Sequence, residues 1–386
     1  MTQTATSRPR ASEAERLARA TISIVAEPGD YTFLGLTSEL GALRFLEALQ
    51  EHPDHHHQLR AAAARLESVD AERELDRAES LGIRFVVPGD AEWPTQLEEL
   101  HAAGTVQERG GTPVGLWVRG PLRLDRLTGS LAVVGSRSST TYGDRVAGDL
   151  AAVVGEAGRA VISGGAFGID YAAHRGALSV GAVTVAVLAC GADRIYPTAH
   201  RDLLRHLGRH YAVISEAPPG ASPFRVRFLA RNRIIAALAR GTVVVEAAAR
   251  SGALNTSNWA QRLNRVVMGT PGPLTSVASV GVHQLIRSGA ASLVTGGPDV
   301  LELLGAAGEH LVEEPRGPER PRDALPVRRR QVLDAVPVSE PASTASVALV
   351  AGLGVVEVHQ VLVRLEEGGL VEQVRTGWRL TERGRE

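Results

Sequence analysis

The feature that most restricts the fold is an alternation running from about residue 131 to residue 290. Short, continuously apolar runs, "LAVVG", "AVIS", "VTVAVLACG", "YAVISE", "TVVVEA" and "RVVMGTPG", are separated by longer stretches with three-and-four spacing, such as "YGDRVAGDLAAVVGEAG", "GIDYAAHRGALSVG" and "RNRIIAALAR". A strand with one solvated face alternates apolar and polar residues, whereas a strand covered on both faces is apolar throughout. Strands of the second kind joined by helices predict an α/β fold, a Rossmann-like, doubly wound and mostly parallel sheet.

The flanks read differently. Residues 1–12 lack any periodic apolar pattern and are expected to be a disordered tail; residues 13–82 carry helical spacing in "EAERLARATISIVA", "ELGALRFLEALQ" and "LRAAAARLESVDAERELDRAESL". His55, His56 and His57 fall in a break between two of these stretches and read as a solvated loop, because adjacent loop residues rarely converge on one ion. "IRFVVPGDAEWPTQLEEL" and "PVGLWVRG" predict short strands that open a main domain spanning 83–310. Residues 311–325, rich in proline and charge, read as a linker. Helix, helix, helix and a hairpin turning near Thr376 and Gly377 then predict a winged helix over 326–386.

A formal net charge of -1 and a pI near 6.9 restrict any polyanion site to a local patch. All 42 basic side chains are arginine, which removes the P-loop lysine, Schiff-base chemistry and lysine general bases. One cysteine, Cys190, allows no intramolecular disulfide and no cysteine-built zinc site, in keeping with a reducing cytoplasm. No apolar run approaches the ~18 residues of a membrane span, so no membrane insertion is expected.

In an open parallel sheet, ligands bind outside the carboxyl ends of the strands. Small and polar residues collect there: Gly135, Ser136 and Arg137 after the first strand; Ser163, Gly164, Gly165 and Ala166 after the second; then Glu216, Glu246, Ser251 and Gly252. Neither GxGxxG nor GxxxxGK[ST] can be drawn through "VVGSRSSTTYG". Glycines there would open backbone amides to a phosphate, helix N-termini would add partial positive charge, and Arg137 would supply a planar cation. In "PFRVRFLARNRIIAALAR", Arg225, Arg227, Arg231 and Arg233 interleave with Phe224 and Phe228. That combination suits single-stranded nucleic acid, cations following phosphates while a ring stacks on an unpaired base. Asp170 and His174, four apart on a helix, could form an acid/base pair, although packing roles account for both. No nucleophile or metal cluster stands beside them in sequence.

Taken together, "VVGSR" with Tyr142 and Gly143, "ISGGAFGIDYAAHRGAL", "CGADRIYP", "ISEAPPG", "RNRIIAAL", "VVEAAARSGALNT" and "GTPG" resemble the DNA-processing protein A family, also called DprA or Smf. The resemblance implies a cytoplasmic homodimer that binds single-stranded DNA without cutting it, requires no cofactor, and helps load the RecA recombinase during natural transformation. It implies that Gly135, Ser136 and Arg137 hold a backbone phosphate, that Ser163 to Ala166 offer backbone donors, and that Arg225, Phe228, Arg231, Asn232 and Arg233 line the strand. Phe167, Glu246, Ser251 and Gly252 are supporting positions. Phe167 stands where many members have a basic residue, His200 where the family usually has Asn, and Ala230 where proline or a neighbouring residue is often found. The N-terminal helices would be a degenerate SAM-like region, since they lack a GxG helix-hairpin-helix signature.

Two other classes compete. A nucleoside-monophosphate hydrolase of the lysine-decarboxylase-like group would carry a PGGxGTxxE-type signature, which "SGALNTSNWA" does not match. A transcription regulator would sense a nucleotide in its Rossmann-like domain and read duplex DNA through its C-terminal recognition helix at about 355–367, where Glu357, Glu366 and Glu367 outnumber Arg364 and His359.

Overall fold

The structure, a computed structural model, describes residues 11–51, 57–312 and 320–385. The tail before residue 11, His55 and His56 of the expected loop, residues 313–319 of the expected linker and Glu386 lie outside the described residues. The chain divides into two compact units after Val312.

The first unit opens with α1 (Glu13–Val25), α2 (Tyr31–Leu40), α3 (Ala42–Glu51), α4 (His57–Leu66) and α5 (Ala71–Ser80). Ser12 and Asp30 cap α1 and α2 by accepting hydrogen bonds from the amides of Glu15 and of Thr32 and Phe33. "ELGALRFLEALQ" does not form one helix: Gly41, at φ +79°, ends α2 and lets α3 start in a new direction. Ile22, Phe33, Phe45 and Leu49 form the apolar centre of this group.

The sheet follows: β1 (Ile83–Val86), β2 (Thr105–Val106), β3 (Arg109–Gly110), β4 (Leu116–Arg119), β5 (Leu131–Val134), α6 (Thr141–Glu156), β6 (Val161–Ser163), α7 (Ile169–Ser179), β7 (Thr184–Leu188), α8 (Arg201–His210), β8 (Ala212–Ser215), α9 (Arg225–Leu238), β9 (Gly241–Val244), α10 (Gly252–Arg262), β10 (Val266–Gly269), α11 (Val280–Arg287), β11 (Ser292–Leu293) and α12 (Gly297–Leu304). Strand order in the main sheet is β1-β4-β8-β7-β6-β5-β9-β10-β11. All neighbours from β8 to β11 are parallel, and the expected apolar runs supply β5 to β10. β4 and β1 close the opposite edge in antiparallel register, Phe85 opposite Trp117 and Trp117 opposite Ser215.

β5 explains why the strands read as continuous apolar runs. Leu131 and Val133 pack against α6 and α7, while Ala132 and Val134 face the layer built from α9, α10 and α11. Both faces are covered, so every position is buried. β5 pairs with β6 on one side and β9 on the other, which sets a topological switch point at its carboxyl end. The N-terminal helices belong to the same compact unit: Ala20 of α1 and Ala78 of α5 pack with Phe85 and Trp117, and the Trp117 indole donates to Ser23 Oγ at 3.0 Å.

The second unit contains α13 (Val327–Asp334), α14 (Thr344–Ala351), α15 (Val355–Glu367), the antiparallel hairpin β12 (Val371–Val374) and β13 (Gly377–Leu380), and a last turn, α16 (Glu382–Arg385). Val332, Val347, Val358, Leu362 and Trp378 form its core, and the Trp378 indole donates to Thr344 Oγ1 at 3.0 Å. Residues 320–325, read as linker, form turns tied to this unit by the Arg322–Asp334 ion pair at 2.8 Å. Among the described residues, no single helix is long and apolar enough to cross a membrane.

Candidate nucleic-acid interface

The carboxyl end of β5 is fixed before any ligand arrives. At Gly135 a Cβ would lie 2.5 Å from Ile169 Cγ1, so only glycine lets the chain leave the strand here. The Ser136 amide donates to the Glu246 carbonyl at 2.7 Å, and the Ser136 carbonyl accepts from the Ile169 amide at 3.2 Å. The buried Glu246 carboxylate accepts from the Thr140 amide at 2.9 Å and the Thr140 hydroxyl at 2.6 Å. Thr140 in turn caps α6 through the Gly143 amide at 3.1 Å. This loop holds out Arg137, which is exposed and has no hydrogen-bond or ion-pair partner among the described residues. Its guanidinium carbon lies 4.7 Å from the centroid of the Phe228 ring.

The turn after β6 departs from the sequence expectation. Ser163 is fully buried and its hydroxyl donates to the Val133 carbonyl at 2.7 Å. The amides of Gly164 and Ala166 both donate to Asp170 Oδ2, at 3.0 and 3.3 Å. The backbone donors expected to hold a phosphate at Ser136, Gly164 and Ala166 are therefore already engaged. Burial pushes the Asp170 carboxyl up from its ordinary range, with Arg231 and the amide bonds opposing. Gly164 leaves room for the Arg231 guanidinium, since a Cβ there would sit 1.3 Å from Nη1. Gly165 is buried and offers its carbonyl to His200 Nδ1 at 3.0 Å.

Asp170 and His174 do not act as a pair. His174 is fully buried and donates from Nδ1 to Thr184 Oγ1 at 2.8 Å, while that hydroxyl donates to the Val161 carbonyl at 2.9 Å. Burial, with help from His200 and Arg231, lowers its pKa from 6.5 to about 3, so the ring stays neutral.

α9 corrects a second expectation. The helix begins at Arg225, so Arg233 stands well inside it. Arg225 is exposed and Phe228 half-buried, but Arg231, Asn232 and Arg233 are buried at 6%, 8% and 0% exposure. Consecutive residues on a helix point ~100° apart, and each of these three finds an interior partner. Arg231 Nη1 donates to the Val187 carbonyl at 3.2 Å. Asn232 Nδ2 donates to Asn255 Oδ1 at 3.1 Å and the Gly252 carbonyl at 3.4 Å, tying α9 to α10, whose N-cap is Ser251. Arg233 forms a buried ion pair with Glu216, which also accepts from the Gly29 amide. Burial pushes Glu216 up despite Arg233. These three residues build the wall behind the surface and do not line it.

What reaches the surface is aromatic and cationic. Phe167 is 49% exposed, its ring centroid 4.7 Å from His200, which stacks on Tyr171 at 4.4 Å. Tyr196, exposed, stands 5.9 Å from Phe228 in an edge-on arrangement. Arg137, Phe167, Tyr196 and Phe228 surround a pocket with Leu188 and Cys190 below. Burial raises the Cys190 thiol to about 11, which keeps it protonated and inert. Sequence reasoning missed Tyr196: it lies within "CGADRIYP", yet spacing alone gives no reason to aim it at a phenylalanine 32 positions away. Among the described residues no group of three His, Cys, Asp or Glu could hold a metal ion.

The sequence model of the DNA recombination-mediator protein A family matches residues 84–305, which contain the whole of this strand-end surface. The chain belongs to that family. A DprA protein of Mycobacterium tuberculosis is 45% identical over 324 residues, 81% of this chain and 83% of the relative. The crystal structure of DNA processing protein A from Streptococcus pneumoniae aligns with a TM-score of 0.61 at 32% identity, covering 76% of this chain and 98% of that one. The DNA processing protein A of Helicobacter pylori, whose structure was described for its single-stranded-DNA binding mode, aligns at 0.50 and 24% identity over 57% of this chain and 95% of that one, a likeness of fold.

Proposed function

We propose that this member of the DNA recombination-mediator protein A family is a non-enzymatic, cytoplasmic single-stranded-DNA-binding protein. In this reading it protects incoming strands and, as a homodimer, helps load the RecA recombinase during natural transformation. The observation that carries the reading is the unpaired Arg137 guanidinium stacked on Phe228 at the switch point, with Phe167 and Tyr196 exposed beside it. A cation without a carboxylate, flanked by exposed rings, suits a backbone phosphate with an unpaired base next to it. Arg225, exposed at the start of α9, extends the cationic path. Ser136, Ser163, Gly164, Gly165, Ala166, Arg231, Asn232, Arg233, Glu246, Ser251 and Gly252 act by holding that surface in place. A binder fits better than an enzyme because Asp170 and His174 are buried and separately engaged.

We read residues 13–82 as a helical SAM-like region, 83–310 as the Rossmann-like binding domain and 326–386 as a winged helix. The last contacts protein rather than duplex DNA in this reading, because α15 exposes Val355 and Val356 and carries Glu357, Glu366 and Glu367.

The test is fluorescence anisotropy of labelled single-stranded and duplex oligonucleotides of equal length at several salt concentrations. Salt-sensitive preference for the single strand is expected. Arg137→Ala should weaken binding and make the log–log salt slope shallower by about 0.7, the value for one phosphate on a single strand. Duplex preference with a response to a free nucleotide would favour a regulator instead.

A further inference from the structure

A second cationic surface stands apart from Arg137. α8 buries Leu203, Leu204 and Leu207 against the sheet and turns Arg201, Asp202, Arg205, His206, Arg209 and His210 outward. Arg201, Arg205 and Arg209 recur every fourth residue, a stripe with about 6 Å of helix rise per step. Two more guanidiniums join it. Arg119, at the end of β4, lies across Gly208, where a Cβ would approach its Cδ to 3.3 Å and its Nε to 3.5 Å. Arg194 is held by one bond from Nε to the Gly220 carbonyl at 2.8 Å. Arg119, Arg194 and Arg205 line one depression, which shares Leu188 with the pocket beneath Phe228.

No ion pair neutralises this cluster among the described residues. Asp202 shares the face without pairing to any arginine, and Asp193 accepts from the Gly220 amide at 2.8 Å. Like charges four apart repel, and Arg201 stands in the first turn, at the positive end of the dipole, whereas Asp202 in the first turn and Arg209 in the last suit their ends. The chain carries a net charge of -1, so a concentration of unpaired arginine is not a by-product of a basic composition.

We propose that the outer face of α8, with Arg119 and Arg194, is a second binding surface for the phosphodiester backbone of single-stranded nucleic acid, used by the part of a long strand that extends beyond the Arg137 pocket. The inference rests on the proposed function for the identity of the polymer. Charge complementarity fits any polyanion, and the wall shared with the Arg137 pocket at Leu188 favours a continuing strand over an acidic protein. The rings beside the stripe, His206 with His210 at 4.5 Å and the half-buried Tyr211 at 6.1 Å from His206, pack on one another, so contacts here follow phosphates rather than read bases.

The experiment uses the full chain and two labelled oligothymidylates, of about 6 and about 30 nucleotides, one within and one well beyond the ~4–16 nucleotides that one compact site usually covers. The variant is the triple replacement Arg201→Ala, Arg205→Ala and Arg209→Ala, whose side chains make no hydrogen bond or ion pair among the described residues. Binding of the short probe should be unchanged. Binding of the long probe should weaken and its log–log salt slope become shallower by about 2, the value for three lost phosphate contacts. The corresponding triple lysine variant should restore most of the slope. Wild-type affinity and slope for the long probe in the alanine variant would overturn the proposal. So would loss of binding to labelled polyglutamate with the DNA slope intact, which would assign the face to an acidic protein. If the wild type ignores the short probe but the alanine variant still loses the long one, the Arg137 reading fails and the α8 surface stands.

Discussion

Arg137 and Arg233 belong to one charged layer at the carboxyl edge of the sheet, and they have opposite fates. Arg137 rests on the half-buried Phe228 with its charge unanswered, whereas Arg233 has no exposure and is paired with Glu216. Moving one phosphate to Arg137 releases counterions at little cost in desolvation. Reaching Arg233 would require opening the wall between α9 and the Gly29 turn. The arginines at this edge therefore form two populations, one that meets the ligand and one that keeps the first in position.

The largest effect that could break this division comes from Arg233→Ala. Removing one partner of a buried ion pair leaves Glu216 uncompensated and should cost about 3–5 kcal/mol of stability in urea titrations. Binding per folded molecule should remain as in the wild type. A variant that folds normally but loses single-stranded DNA would put Arg233 back among the contact residues.

His174 sharpens the same contrast through pH. Its folded pKa, about 3, is depressed below the ordinary 6.5, so between those values the unfolded chain binds a proton that the folded chain refuses. Its contribution is complete above about pH 6.5 and is lost as pH falls, by up to about 1.4 kcal/mol per unit. The raised carboxyls of Asp170 and Glu216 act in the opposite direction, because burial favours their protonated forms. Comparing His174→Gln with the wild type removes those shared contributions, and the variant should show the flatter decline between pH 6.5 and 4 in thermal melts.

Phe228→Ala tests the exposed population. Loss of one base-stacking partner should weaken binding by about 1–3 kcal/mol with the salt slope nearly unchanged, because no charge leaves. Arg137 loses its support in the same variant, so a fall in slope as well would mean that the ring serves mainly to orient the cation.

The strands were legible because two covered faces impose uninterrupted Val, Ile and Ala, and the switch point followed from the order of the runs. Arg137 was legible as a cation two residues after the glycine that ends a strand. The division within α9 was not. Its second half is buried all round, so no apolar stripe marks its inner face, and the partners that claim Arg231, Asn232 and Arg233 are Val187, Asn255 and Glu216, distant in sequence. Likewise Glu246 could be placed at the sheet edge, but its grip on Thr140 joins positions 106 apart.

The smallest effect lies at the boundary between the two populations. Arg227 stacks over Phe224, its guanidinium carbon 5.0 Å from the ring centroid, and forms a bidentate pair with Glu27 at 2.7 and 2.8 Å. The arginine side chain is 12% exposed and the glutamate 46%. A half-exposed pair of this kind contributes at most about 1 kcal/mol, so Glu27→Gln should leave the melting curve almost unmoved. The charge it frees lies among Phe224, Arg225 and Phe228, and if the strand follows α9 that charge becomes available to a phosphate. Binding should then tighten slightly and the log–log salt slope steepen by about 0.7. An unchanged slope would leave Arg227 with the structural arginines, and the ligand path would end at Arg225.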